Sequence, residues 1–228
     1  MHHQYSCGLI VLLKEQEIMS ASYSPFEEKL NIITHAIGIV IAVASLVVLV
    51  VRSAMFGTGW HLAGSIVFGI SMIVLYSAST AYHSVRSPQL RQRLRVFDHT
   101  AIYVLIAGTY TPFALVTLNG TTGWIIFGLA WGLALTGTIL KLFFTGRFNH
   151  ASTILYVSMG WMAIFVIRSL FANLSIEAFF WLIGGGVAYT VGAVLYSIDR
   201  IPLNHAIFHV FVLLGTICHV ITVGVYLI

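Results

Sequence analysis

The apolar positions of this chain fall into long blocks separated by short polar breaks. A helix needs about 20 mostly apolar residues to cross a bilayer core. Seven blocks of about that size follow Glu28: Leu30 to Val51, Trp60 to His83, Asp98 to Leu118, Gly123 to Phe144, Ala151 to Phe171, Glu177 to Ile198 and Leu203 to Leu227. The breaks carry turn residues, among them Gly57-Thr58-Gly59, Ser87-Pro88, Asn119-Gly120, Gly146-Arg147 and Arg200-Ile201-Pro202, so neighbouring spans run antiparallel. The pattern predicts an all-α, polytopic membrane protein with a tail over residues 1–28 and one domain of seven transmembrane helices over 29–228.

Composition agrees. Apolar residues make up 59% of the 228 positions and charged residues 8%, against about 25% charged in an ordinary soluble domain. The net charge of +4 matters less than its placement. With the N-terminus inside, the inner side collects Lys14, Lys29, Arg86, Arg91, Arg93, Arg95, Lys141, Arg147 and Arg200, leaving Arg52 and Arg168 toward the outside. Cytoplasmic loops are enriched in Lys and Arg, so the N-terminus is expected in the cytoplasm and the C-terminus outside. Trp60, Trp124 and Trp181 each open an even-numbered span, where an outer aromatic belt would lie. Orientation and contact with anionic inner-leaflet headgroups account for Arg86 to Arg95 better than a substrate-phosphate clamp does, and no nucleic-acid partner is expected.

Several segments carry narrower expectations. The apolar run GLIVLL at 8–13 is too short to span and is not followed by a secretory cleavage site. Residues 1–18 fit poorly with the rest, and a true start at Met19 is expected. Cys7 and Cys218 are read as free thiols. Gly184-Gly185-Gly186, and Gly128 with Gly132, predict close helix packing within the bundle. Pro112 predicts a kink, with Thr109 and Thr111 placed to satisfy freed backbone groups.

Ionisable side chains inside a bilayer are expensive and usually functional. His83 ends the second span, Asp98 opens the third, and His205 and His209 occupy the first turns of the seventh, all on the side expected to be cytoplasmic. His205 and His209 are four apart and share a helix face, about 6 Å apart in rise. Such a pair can hold one ion. Three neutral imidazoles suit Zn²⁺ with a fourth position left for water. Asp98 is then the natural partner, taking a proton from water on that ion or ligating directly. Ser79, four residues before His83, is placed to hydrogen-bond a ligand or a developing oxyanion.

The remaining histidines are weighed individually. His205-Ala-Ile-Phe-His209 lacks the glutamate of the H-E-x-x-H proteases. His2, His3, His61 and His150 read as interfacial residues. His99 points about 100° away from Asp98 and is kept as an outer candidate. His219 lies about 15 Å along the helix from His209, too far to share its ion. His35 reads as packing rather than site.

Ser79-Thr-Ala-Tyr-His83, Phe97-Asp98-His99, Ala107-Gly-Thr-Tyr-Thr-Pro-Phe113 and Asn204-His-Ala-Ile-Phe-His209 together resemble the bacterial hemolysin III family. That family is the bacterial branch of the progestin and adipoQ receptor group, within a superfamily that includes alkaline ceramidases. The resemblance runs from about Ser24 to the C-terminus. It implies seven helices with the N-terminus inside, and a zinc site whose ligands match His83, His205 and His209, with Asp98 holding water and Ser79 alongside.

Three functions follow as expectations. The first is metal-dependent hydrolysis of a lipid amide or ester bond in the bacterial inner membrane, with the lipid entering between helices. The second is a non-enzymatic membrane sensor or regulator with structural zinc. The third, cytolysis through a pore, comes from the family name, and the spans look too apolar all round to line a wide channel. A retinal protein is set aside because the seventh span has no lysine for the Schiff base.

Overall fold

The computed structural model describes residues 23–144 and 149–228, and every secondary-structure element among them is a helix. Seven helices are long and apolar enough to cross a membrane: Pro25–Phe56, Gly59–Ser84, Pro88–Leu118, Gly120–Phe143, Ser152–Asn173, Ile176–Tyr196 and Asn204–Leu227, called the first to seventh helices below. In lipid, each backbone N–H and C=O must find its partner within the chain, which is why only helices fill these stretches. The chain is a multi-pass membrane protein.

The first three helices pack in chain order, the third continues onto the fourth, and the seventh lies against both the sixth and the first. The third helix is the centre, with 61% of its most apolar stretch buried against 17% for the fifth. It contributes Ala101, Leu105 and Phe113 to one apolar core with the first, second and seventh helices. From its other side Tyr103, Ala107 and Ala114 join Ile126, Ala130 and Ala134 of the fourth and Met159 and Met162 of the fifth. A mainly apolar cavity of about 190 Å³ lies beside it, bordered by the third, fifth, sixth and seventh helices.

Local chemistry moves two helix starts from where hydropathy puts them. The first helix begins at Pro25 rather than near Leu30, because Ser24 caps it by accepting the Glu27 N–H at 3.1 Å and Pro25 fits the first turn. Glu28 is therefore inside the helix, not in a tail. The third helix begins at Pro88, ten residues before Asp98.

Two helices depart from regular geometry. After Pro112, which cannot donate, Phe113–Leu118 winds as a π-helix. Thr109 and Thr111 donate to the Leu105 and Ala107 carbonyls, at 2.8 and 2.9 Å, not to the Gly108 carbonyl that Pro112 leaves without its usual donor. The fifth helix is broken by a 3-10 stretch over Trp161–Val166, where Tyr110 inserts into its ladder. The Tyr110 hydroxyl donates to the Gly160 carbonyl at 2.6 Å and accepts from the Ala163 N–H at 2.8 Å.

The small residues divide unequally. Gly128, Gly132 and Gly184 face open space rather than packing within the bundle, whereas a Cβ on Gly185 would stand 2.4 Å from His219 Nε2. Trp60 and Trp124 meet edge to face at 5.8 Å, on the end of the bundle opposite His83. His61 joins its own cap, its Nδ1 accepting from the Thr58 N–H at 3.1 Å and its Nε2–H donating to the Leu227 carbonyl at 3.0 Å. Cys218 is a free thiol, while Cys7, His2 and His3 lie outside the described residues.

Gly38 tests the packing. A Cβ there would meet the Tyr76 ring at 2.6 Å, and that ring is fully buried with its hydroxyl tied to Thr216 at 2.7 Å. Gly38→Ala is expected to destabilise the bundle by about 1–3 kcal/mol, whereas Gly128→Ala, with nothing within 4 Å, is expected to be neutral. Thermal unfolding of both variants in detergent micelles checks the difference.

Candidate metal centre

His83, His205 and His209 each offer a ring nitrogen, and the three nitrogens lie within 4.8 Å of one another, all buried. It is the one such cluster of three or more ligating side chains among the described residues. The second helix brings His83 in on its last turn, and the seventh brings the other two in on its first two turns. His83 Nε2 and His205 Nε2 face each other at 3.1 Å. The centroids of the His205 and His209 rings are 4.4 Å apart.

The three ring nitrogens could hold one metal ion. Nitrogens held at about 2.0–2.1 Å from a zinc ion are roughly 3.4 Å apart, close to the His83–His205 separation. The outer nitrogens reinforce the fit. His83 Nδ1 lies 2.6 Å from Glu28 Oε2, and His209 Nδ1 lies 3.3 Å from Thr34 Oγ1. His205 Nδ1 is buried without a partner among the described residues.

Asp98 is buried beside this cluster, 6% exposed, and lines the cavity next to His205 and His209. Its carboxylate lies outside the set of three mutually close ligand atoms. Ser79 stands near Asp98, yet its buried Oγ has no partner within hydrogen-bond distance among the described residues. All five residues singled out in the sequence thus gather at one end of the bundle.

The first helix was under-read. Glu28, Asn31 and His35 repeat at i, i+3 and i+7 on one face, and all three reach the centre. The His35 ring stacks on the His209 ring with centroids 3.5 Å apart. Asn31 Nδ2 is 3.5 Å from His83 Nδ1. Arg91, counted above with the headgroup-facing arginines, turns inward to pair with Glu28 and lies 4.8 Å over the Tyr82 ring. The signals were available: a Ser-Pro cap ahead of Glu28, and a polar stripe at helical spacing.

The other histidines stand apart. His99 lines the cavity, while its backbone carbonyl accepts from the Tyr156 hydroxyl at 3.0 Å. His219 is buried a few turns up the seventh helix with Nε2 3.1 Å from the Leu182 carbonyl. The His150 side chain lies outside the described residues.

Comparison with known proteins agrees with this picture. The sequence model of the family described as Haemolysin-III related matches residues 23–220. Hemolysin-3 of Bacillus cereus is 44% identical over 190 residues, covering 83% of this chain and 87% of that protein. The Hemolysin-3 homolog of Bacillus subtilis is also 44% identical over 190 residues, covering 83% and 89%. The human Monocyte to macrophage differentiation factor is 27% identical over 213 residues, covering 90% and 87%. No solved structure matches the chain.

If the three nitrogens share an ion, His83→Ala, His205→Ala and His209→Ala each lower the metal content of the purified protein to background. His219→Ala, which removes a buried ring outside the cluster, keeps it. Elemental analysis after gentle extraction reads both outcomes.

Proposed function

Because the chain belongs to the haemolysin-III related family and gathers three imidazoles at one end of its bundle, we propose that it is a zinc-dependent hydrolase of membrane lipids. It would cleave an amide or ester bond in the inner membrane of a bacterium. The observation that carries the reading is the composition of the cluster: three histidines without a carboxylate among them. Structural zinc sites are closed by four protein ligands, whereas catalytic ones hold three and leave a position open. A regulator built around structural zinc draws less support from this arrangement.

Three neutral imidazoles are a donor set suited to zinc. A zinc ion supplies Lewis acidity, polarising a carbonyl and making water nucleophilic near neutral pH. The chain's own residues supply the rest. Asp98 borders the cavity beside the cluster and is placed to take a proton from attacking water and return it to the departing amine or alkoxide. Ser79, near Asp98 and with no hydrogen-bond partner for its hydroxyl within bonding distance among the described residues, is placed to donate to a carbonyl oxygen as it gains charge. Between the third, fifth, sixth and seventh helices the cavity walls are apolar, with Ile102, Leu105, Ile106, Phe113 and Val212 among them. That lining suits an acyl chain whose polar end lies at the histidines. In this reading the tally of basic residues puts the cluster at the cytoplasmic face.

Asp98→Asn separates the chemistry from the centre. The variant is expected to keep its metal and to hydrolyse lipid at least about 100-fold more slowly, measured by product release from ceramides and fatty-acyl esters in mixed micelles. Metal-loaded protein that cleaves none of these, with Asp98→Asn indistinguishable from the parent, defeats the proposal. For topology, a C-terminal alkaline phosphatase fusion is expected to be active, and a C-terminal green fluorescent protein fusion dark.

A further inference from the structure

The first helix gives no nitrogen to the cluster, yet its side chains hold the outer nitrogens of two of the three rings. We infer that Glu28 is the positioning residue of the metal centre: its carboxylate takes the Nδ1–H of His83 and turns Nε2 toward the shared cation, while Arg91 holds the carboxylate in place. The inference rests on the metal-centre reading above.

The geometry is specific about protons. A carboxylate only accepts, so the 2.6 Å contact between Glu28 Oε2 and His83 Nδ1 places the ring proton on Nδ1. The lone pair is left on Nε2, the atom facing His205 at 3.1 Å. Asn31 Nδ2, at 3.5 Å from the same Nδ1, is too long to compete. The other Glu28 oxygen receives Arg91. Arg91 in turn lies over Tyr82, the neighbour of His83, whose ring packs on the His83 ring at 4.7 Å. Glu28, His83, Tyr82 and Arg91 thus close a loop across the first, second and third helices. The Glu28 and His83 side chains are 16% and 0% exposed, so water competes little for the bond.

Thr34 does the same for His209 with a weaker acceptor. Its hydroxyl proton goes to the Leu30 carbonyl at 2.8 Å, leaving an oxygen lone pair for His209 Nδ1–H at 3.3 Å. His205 has no such partner among the described residues. His83 is therefore the ligand with the strongest outer partner. Carboxylates hydrogen-bonded to ligating histidines fix the tautomer and raise the basicity of the ring, and their loss costs about 10- to 100-fold in metal affinity.

The test uses the full chain in detergent micelles, with zinc affinity measured by chelator competition. Cobalt(II) d–d absorption and the melting temperature of the metal-free protein are read alongside. Glu28→Ala is expected to weaken zinc binding by about 10- to 100-fold, Glu28→Gln, which keeps an acceptor oxygen, by less but by more than about 5-fold, and Arg91→Met by no more than about 3-fold. Both Glu28 variants are expected to change the cobalt spectrum, and Arg91→Met to leave it as in the parent. A merely structural ion pair makes the opposite forecast: equal effects from losing either partner, confined to the metal-free melting temperature. Should Glu28→Ala not fold, the Glu28→Gln and Arg91→Met pair decides, and equal affinities for those two overturn the inference. A parent that binds no metal overturns the metal-centre reading and this one together. A metal-binding parent with unaffected Glu28 variants sinks this inference alone.

Discussion

A neutral imidazole has one N–H and one lone pair, and inside a bilayer both need partners that bulk water does not supply. Three such rings packed with nitrogens within 4.8 Å of one another therefore pose a problem of proton placement. Glu28 takes the proton of His83, and Thr34 is placed to take that of His209. Both rings then turn lone pairs inward. A proton on His205 Nε2 satisfies one of those lone pairs, through the 3.1 Å contact with His83, and leaves the other facing it. A divalent cation satisfies all three. On the metal-centre reading, the side chains at this end of the bundle answer that requirement.

The constraint explains why the site is assembled from helices far apart in sequence. On the metal-centre reading, a single helix face offers two ligands to one ion at i and i+4, where His205 and His209 stand. The third comes from the second helix, and the outer partners come from the first, whose buried stripe of Asn31, His35, Gly38, Ala42, Ser45 and Leu49 lies against the rest of the bundle. Gly38 in that stripe lets the Tyr76 ring of the second helix lie directly against the first helix. The central third helix contributes to both apolar cores and carries Asp98 on its way past the cavity. Packing and polar chemistry thus share the same elements.

Much of this was legible in the sequence. The seven blocks and their turns were readable because lipid removes every alternative to helix. His83, Asp98, His205 and His209 stood out because buried ionisable residues are rare in such blocks, and span order alone placed them at one end. Glu28 was missed for a related reason: a hydropathy boundary drawn at Leu30 assigns a glutamate to the tail, although the Ser24-Pro25 cap marks the true helix start. Arg91 was read through its charge class, which fits loops facing headgroups and says nothing about a pairing across three helices. The 3-10 break of the fifth helix depends on Tyr110 arriving from the third, and nothing in the fifth helix's own sequence announces it. Gly128 and Gly132 carry a packing pattern but no packing partner among the described residues, because a pattern of small residues specifies closeness without specifying to what.

The position of Tyr23 bears on how such a site is reached. Its ring stacks on His205 at 4.7 Å and 22°, and lies 5.7 Å from His83. Burial raises the Tyr23 phenol above its ordinary pKa, so the cover over the cluster is a neutral aromatic. Tyr23 precedes the first helix, and its ring covers the His205 ring from there. Asp98, His205 and His209 meanwhile line the apolar cavity. On the lipid-hydrolase reading, an acyl chain held in that cavity would therefore lie along apolar walls with its polar end at the imidazoles.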